Sequence, residues 1–303
     1  MNNINLHRNL IALLQLDGIG RKKIKAIFKH LQQPENLTLF EIIEAGKEFD
    51  LIPGTMGMDA LKKAGAMADF IIEINAKNHI KMLSCFDKSY PDALVFEDSP
   101  IILYYQGNPK LLKNDHRVAV IGSRKPSSDG IKFAENTGEF LAEQGFVVIS
   151  GLATGCDAGG HRGCLKEGGK TLAFLPCGLL NIYPSENAGL AMKILDNGGC
   201  LLSEYSHQES IVPYKFIERD RLQAASCNFL IVSDFSPKSG TIHTLNFAMK
   251  YHKKIFTTPI IFEQSMKGFA ELRKRNIPYE ILEEKTLHNL IKNYKNNKSF
   301  VFL

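Results

Sequence analysis

The hydrophobic pattern changes its period once along this chain, close to residue 117. Before that point apolar residues recur at three- and four-residue spacing over Leu6–Leu16, Lys22–Leu31, Leu39–Glu44 and Ala60–Asn75, which predicts amphipathic helices. Pro34 and the Pro53-Gly54 turn punctuate them, and Tyr90-Pro91 and Ser99-Pro100 break up the transition segment that follows. From Arg117 onward short apolar runs alternate with amphipathic stretches. The runs Val118–Ile121, Val147–Ser150, Leu172–Leu175, Cys200–Ser203, Phe229–Val232 and Ile255–Thr257 read as buried strands. Between them Ile131–Gln144, Ala188–Asp196, Ile217–Ala225 and Thr244–Lys250 read as helices. The alternation predicts an α/β chain: an extended Rossmann-like, mostly parallel sheet with helices on both faces, preceded by a small all-helical domain. After Pro259 come a basic helix over Met266–Lys274, a strand over Tyr279–Leu282 and a last helix. The expected divisions are 1–78 (helical), 79–285 (Rossmann-like) and 286–303 (basic C-terminal helix or tail).

Composition narrows the class without choosing a function. At 303 residues, 44% hydrophobic and 23% charged, the chain has the make-up of a soluble globular protein. No apolar run reaches the roughly 18–20 residues of a membrane span. The polar start, Met1 to Asn9, has no apolar signal region behind it, so a cytoplasmic location is expected. The cysteines Cys85, Cys156, Cys164, Cys177, Cys200 and Cys227 form no C-x-x-C pair, which predicts buried thiols and no metal site. The net charge of +5 and the pI near 8.7 suit a polyanionic partner without establishing one. Much of the excess is local, in Arg21, Lys22, Lys23 and Lys25 and in Lys292, Lys295 and Lys298, and solvated basic faces account for such clusters equally well.

The candidate chemistry lies at the strand ends. The first strand runs into Gly122-Ser123-Arg124 rather than G-x-G-x-x-G, and the second ends at Ser150 where a dinucleotide site prefers an acid, so NAD is not expected. Gly122 permits close backbone approach, and Arg124 is either placed to reach an anion or is a surface arginine in a turn. Ser150-Gly151-Leu-Ala-Thr154-Gly155-Cys156-Asp157 reads as an anion nest ahead of a helix, with Asp157 as an alternative N-cap. Asp157 and His161, four apart, are read as structural, because no nucleophile lies near them. Lys215, Phe216, Arg219 and Arg221 follow the fourth strand and combine cations with an aromatic, as phosphate contacts and base stacking require, while their alternation with Glu218 and Asp220 also reads as a self-paired solvated helix face. Lys238-Ser239-Gly240-Thr241 opens a helix with amides and hydroxyls suited to phosphate, but G-x-x-x-x-G-K-[ST] is absent, which argues against ATP hydrolysis. Leu16-Asp17-Gly18-Ile19-Gly20, ahead of Arg21 and Lys22, looks like a helix-hairpin-helix turn, with a plain helix–helix connection as the other reading. No cofactor is expected.

In order, these pieces resemble the DprA/Smf (DNA-processing protein A) family. Its pattern runs through G-[ST]-R, S-G-x-A-x-G-x-D with a nearby His, Y-P-x-x-N, S-E, F-x-x-R-x-R and S-G. Here these are Gly122-Ser123-Arg124, Ser150 to Asp157 with His161, Tyr183 to Asn187, Ser203-Glu204, Phe216 to Arg221 and Ser239-Gly240. Tyr90-Pro91 through Gly107-Asn108 and Gly268 to Ile281 resemble the family's opening and closing segments, so the likeness spans roughly residues 80–285. The resemblance implies a non-catalytic, dimeric, single-stranded-DNA-binding protein that protects incoming DNA and helps load RecA in natural transformation. It also implies that Arg124, Lys215 and Phe216 stand at DNA-contacting positions. Three departures stand out: Asp220 where the family has Asn, Thr241-Ile242-His243 after Ser239-Gly240, and no counterpart of the C-terminal winged-helix domain of many members. They are expected of a divergent branch, serving competence, defence or a mobile element. The rival readings are a nucleotide sensor and a nucleoside-monophosphate hydrolase of a related family, with Glu204 as its acid.

Overall fold

The computed structural model describes residues 4–52, 56–207, 209–257 and 263–282 (the side chains of 263–265 excepted), together with 287, 289, 291, 292 and 294. Pro53-Gly54, Pro259, Lys295 and Lys298 lie outside the described residues. The helical start consists of α1 (Ile4–Leu14), α2 (Arg21–Phe28), α3 (Leu39–Glu48) and α4 (Met58–Lys77). A capping box opens α3: the Thr38 hydroxyl accepts the Glu41 amide while Glu41 accepts the Thr38 amide. The apolar stripes point inward, with Leu10, Ile11, Ile24 and Ile42 fully or almost fully buried.

Two strands precede the predicted sheet: β1 (Lys81–Ser84) and β2 (Ile102–Gly107), paired antiparallel. Both fall in the transition segment, where prolines dominate the pattern and β1 has only four residues. There follow β3 (Arg117–Ile121), α5 (Ser128–Glu143), β4 (Val147–Ser150), α6 (Cys156–Lys166), β5 (Thr171–Leu175) and α7 (Ala188–Asp196). Then come β6 (Cys200–Ser203), α8 (Pro213–Ser226), β7 (Phe229–Val232), α9 (Thr241–Lys250), β8 (Lys254–Thr257), α10 (Glu263–Lys274) and β9 (Glu280–Ile281). The predicted strands from 118 to 257 stand where the apolar runs put them.

Among the described residues the sheet order is β1-β2-β6-β5-β4-β3-β7-β8-β9, and only the pairings of β1 with β2 and of β2 with β6 are antiparallel. This is the Rossmann-like, mostly parallel sheet expected from the alternation. The helical start does not stand apart from it. Leu10, Ile11 and Ile24 belong to one buried cluster with Ile102, Tyr104 and Ala173 of the sheet. A second cluster holds Leu222 and Leu245 of α8 and α9, and a third holds Ala134 and Leu141 of α5, closed by Leu287 and Ile291.

Candidate nucleic-acid interface

The strand order reverses between β3 and β7. Chain leaving β3 toward α5 and chain leaving β7 toward α9 therefore diverge to opposite faces, opening a crevice at the carboxyl edge. Gly122-Ser123-Arg124 lies on one side of this crevice and Ser239-Gly240 on the other. Helix α8 connects β6 to β7 across the intervening strands and lays its first turns over the same edge.

Arg124, Phe216 and Tyr183 form the rim. Arg124 is exposed, its guanidinium lies 4.7 Å from the centre of the Phe216 ring, and it makes no ion pair among the described residues. Tyr183, 40% exposed, packs against Phe216 in a T-shaped arrangement with ring centres 5.6 Å apart. Two small pockets of about 50 and 60 Å³ open behind this rim. One lies against Thr154, Pro184 and Arg219, the other against Asp220, Gln223, Gly240 and Thr241. Tyr183 and Gln223 were not among the residues predicted for the site. Tyr183 sat inside a recognised motif without an assigned role, and Gln223 carried no signal in the sequence.

Beneath the rim one buried arginine lies between two buried carboxylates. Arg219 Nε is 3.1 Å from Asp220 Oδ1, its Nη1 is 4.0 Å from Asp157 Oδ2, and Nη1 donates to the Phe174 carbonyl at 3.0 Å. A Cβ on Gly151 would overlap Arg219 Nη1, so the glycine is what lets this side chain pass. Burial raises the Asp157 carboxyl above its ordinary range, against the pull of Arg219. Burial likewise pushes Asp220 up to about 7, with Arg219 opposing and Asp157 adding to the rise.

The second loop is built differently from a free anion nest. Gly155, at φ +78, is the N-cap of α6, so Asp157 sits inside the first turn rather than at the cap. Its carboxylate accepts the Gly151 amide at 3.2 Å, an amide therefore already taken. Ser150 is fully buried and donates to the Val120 carbonyl at 2.7 Å, which removes it from the interface. Ser123 is buried too, with its hydroxyl accepting the Lys125 amide and its own amide donating to the Asp234 carbonyl. Gly122 packs against Cys156, where a Cβ would come within 2.6 Å of Sγ. His161 is wholly buried, hydrogen-bonded to Thr171 at 2.7 Å and pushed down to about 3 by burial, with Arg219 adding to the fall. It is a neutral core histidine. Ser239 and Thr241 hydroxyls bond each other at 2.8 Å, and Gly240 stays exposed at the N-cap of α9.

Three predicted phosphate contacts are committed elsewhere. Arg221 is fully buried and grips Glu204 with Nη2, at 2.9 and 2.7 Å from the two carboxylate oxygens. Arg21 Nη1 meets the same Glu204 at 2.7 Å, its Nη2 reaches Glu218 at 2.6 Å, and its Nε lies 3.1 Å from Asp98. The pair of arginines with three carboxylates ties the start of α2 to α8. Lys215 is buried over the Tyr205 ring, donating to Glu209 and to the Ser210 carbonyl, both at 2.9 Å, and it lines neither of the two small pockets. The alternating charge of α8 points to self-pairing, which Arg219–Asp220 and Arg221–Glu218 show, but not to Glu204 and Glu209 as partners. Gly18, with φ +75, and Gly20, the N-cap of α2, are exposed on a turn beside a cleft of about 930 Å³ between the helical start and the sheet. Lys22 there lies 3.8 Å from Glu97, and the cleft is also lined by Asp98, Glu204, Glu209 and Glu218.

The comparisons agree on one family. The model of the family described as DNA recombination-mediator protein A matches residues 81–291. The chain is 37% identical over 177 residues to the DNA processing protein DprA of Streptococcus pneumoniae, covering 58% of this chain and 62% of that protein. It is 29% identical over 259 residues to the protein Smf of Synechocystis, covering 82% and 63%. The matches thus span about three fifths of the length of these relatives. Among solved structures, the chain is similar to DprA from Streptococcus pneumoniae with a TM-score of 0.74 at 25% identity, over 95% of this chain and 98% of that one. It is similar to DNA processing protein A from Helicobacter pylori, whose structure addresses its single-stranded DNA binding mode, with a TM-score of 0.64 at 29% identity, over 72% and 96%.

Proposed function

This chain belongs to the DNA recombination-mediator protein A family, and from that membership we propose that it binds single-stranded DNA at the crevice between β3 and β7. The observation that carries the reading is Arg124: an exposed guanidinium with no carboxylate partner among the described residues, laid over an aromatic ring at the switch point of a parallel sheet. Phosphate needs such a cation, and an unstacked base needs such a ring. Phe216 and Tyr183 supply the apolar surface, and Gly240 with Thr241 supplies the N-terminus of α9. Duplex DNA keeps its bases stacked and gains nothing from the aromatic pair.

On the family's terms we further propose that the protein acts as a non-catalytic homodimer in the cytoplasm, shielding the strand and handing it to RecA. Among the described residues no helix is long and apolar enough to cross a membrane. The hydrolase reading needs Glu204 free to move a proton, and both of its oxygens are held by arginines.

The test is titration of the purified protein with labelled single- and double-stranded oligonucleotides at several salt concentrations. Single strand should bind at least several-fold tighter, with affinity falling as salt rises. Equal affinity for the two forms would rule this reading out.

A further inference from the structure

We propose that the Asp220 side chain sets the charge of the DNA pocket: protonated, it admits a phosphate of the strand, and ionised, it repels one, so that binding takes up a proton. The inference rests on the reading above that this pocket holds single-stranded DNA.

The geometry is that of a shared arginine. Asp220 is 7% exposed, lines the pocket with Arg124 and Gly240, and lies 3.1 Å from Arg219. Arg219 also faces Asp157 at 4.0 Å, so one cation serves two buried acids. With both acids ionised, the three groups together carry one negative charge, which cancels Arg124 at the mouth. With Asp220 neutral, the pocket keeps the positive charge that a phosphate requires.

The other charged and polar groups facing Asp220 are few. Arg124 comes from the turn after β3, Asp157 from α6, Arg219 from its own helix, and Thr244 from α9. His243, also on α9, is exposed and lines the same pocket. Gln223 Nε2 is buried there without a hydrogen-bond partner among the described residues, a donor left over for the incoming group. Burial holds Asp220 half-protonated near neutral pH, at about 7. A phosphate placed beside it makes the ionised form costlier still, so by linkage the protonated form binds the strand better.

The test uses the whole protein and an oligothymidylate, whose bases and phosphodiesters do not titrate near neutrality, at fixed ionic strength. Wild-type affinity should be roughly tenfold weaker at about pH 8 than at about pH 6, because the free carboxyl must first recover its proton. Asp220→Asn should bind equally at both pH values, as tightly as wild type at the lower one, while His243→Gln keeps the wild-type drop. Calorimetry of the wild type at about pH 8 in two buffers of different ionisation heat should read ~0.5–1 proton taken up per site. That measurement needs no variant to fold. Equal wild-type affinity at both pH values, no proton uptake, or a drop that persists in Asp220→Asn would overturn this proposal and leave DNA binding standing. Failure to bind oligothymidylate at either pH would overturn both.

Discussion

Arg124 and Arg221 are arginines of two kinds, and substitution separates them. Arg124 is exposed and unpaired, so Arg124→Ala should weaken single-strand binding by ~1.5–3 kcal/mol, the range of a charge-assisted hydrogen bond, and leave the melting temperature where it was. Arg221 is buried against Glu204. Arg221→Ala leaves that carboxylate with Arg21 as its remaining partner and should cost stability of ~1.5–3 kcal/mol, read as a lower denaturant midpoint. If Arg221→Ala instead keeps its midpoint and loses DNA affinity, Arg221 belongs to the interface after all. Asp220 gives a third response. Its carboxyl titrates at about 7 in the folded chain and near 4 when unfolded, so the folded state holds the proton more tightly. Stability is therefore lost as pH rises from about 4 to about 7 and is level above that. Asp220→Asn removes the loss. The melting temperature of the variant minus that of wild type should increase across this interval in a calorimetric pH series, and a constant difference would contradict the burial of a raised carboxyl.

At the scale of elements, what could be read from the chain depended on how each element is stabilised. The parallel strands from β3 to β8 are buried on both faces, so each is an apolar run that composition alone exposes. The β1–β2 hairpin is legible only through its pairing to β6, a contact across almost a hundred residues that no local period records. The same division holds for the site. Gly151 and Gly155 could be recognised as special, but not that one makes room for Arg219 and the other turns the chain into α6. The sign of Arg21, Lys215 and Arg221 was visible; that Glu204, 183 residues from Arg21, would meet both arginines was not. The helical start shows the limit most clearly. It reads as a separate domain, yet Leu10, Ile11 and Ile24 share their buried cluster with Ile102 and Tyr104 of β2 and Ala173 of β5. Removing residues 1–77 should therefore uncover apolar sheet and yield a poorly soluble or low-melting product rather than a well-folded core. A truncated chain that melts like the whole one would show that the helices are an appendage.

Over the whole molecule, a net charge of +5 gives a poor measure of what a nucleic acid would meet. Arg8, Arg21, Arg162, Arg219, Arg221 and Arg275 all lie against carboxylates, and Lys25 is spent on the Glu97 carbonyl and Ser99. Around the crevice, the exposed cations for which the described residues supply no acid are Arg124, Lys125 and Lys238. The cleft beside Gly18 and Gly20 adds Lys22 and Lys23, but it also lines up Glu97, Asp98, Glu204, Glu209 and Glu218. A strand running through that cleft would meet at least as much repulsion as attraction. Binding should then release counterions from only a few phosphates. Each single-strand contact contributes about 0.7 to the slope of log affinity against log salt, so three contacts predict a slope of about −2 per chain. Titrations over a tenfold salt range would measure it directly. A slope of about −5 or steeper would require a longer basic track, with the hairpin at Gly18–Lys23 engaged in spite of its acids. In that case Lys22→Glu with Lys23→Glu should flatten the slope by about one to two, whereas a strand confined to the crevice leaves the double variant with the slope of wild type.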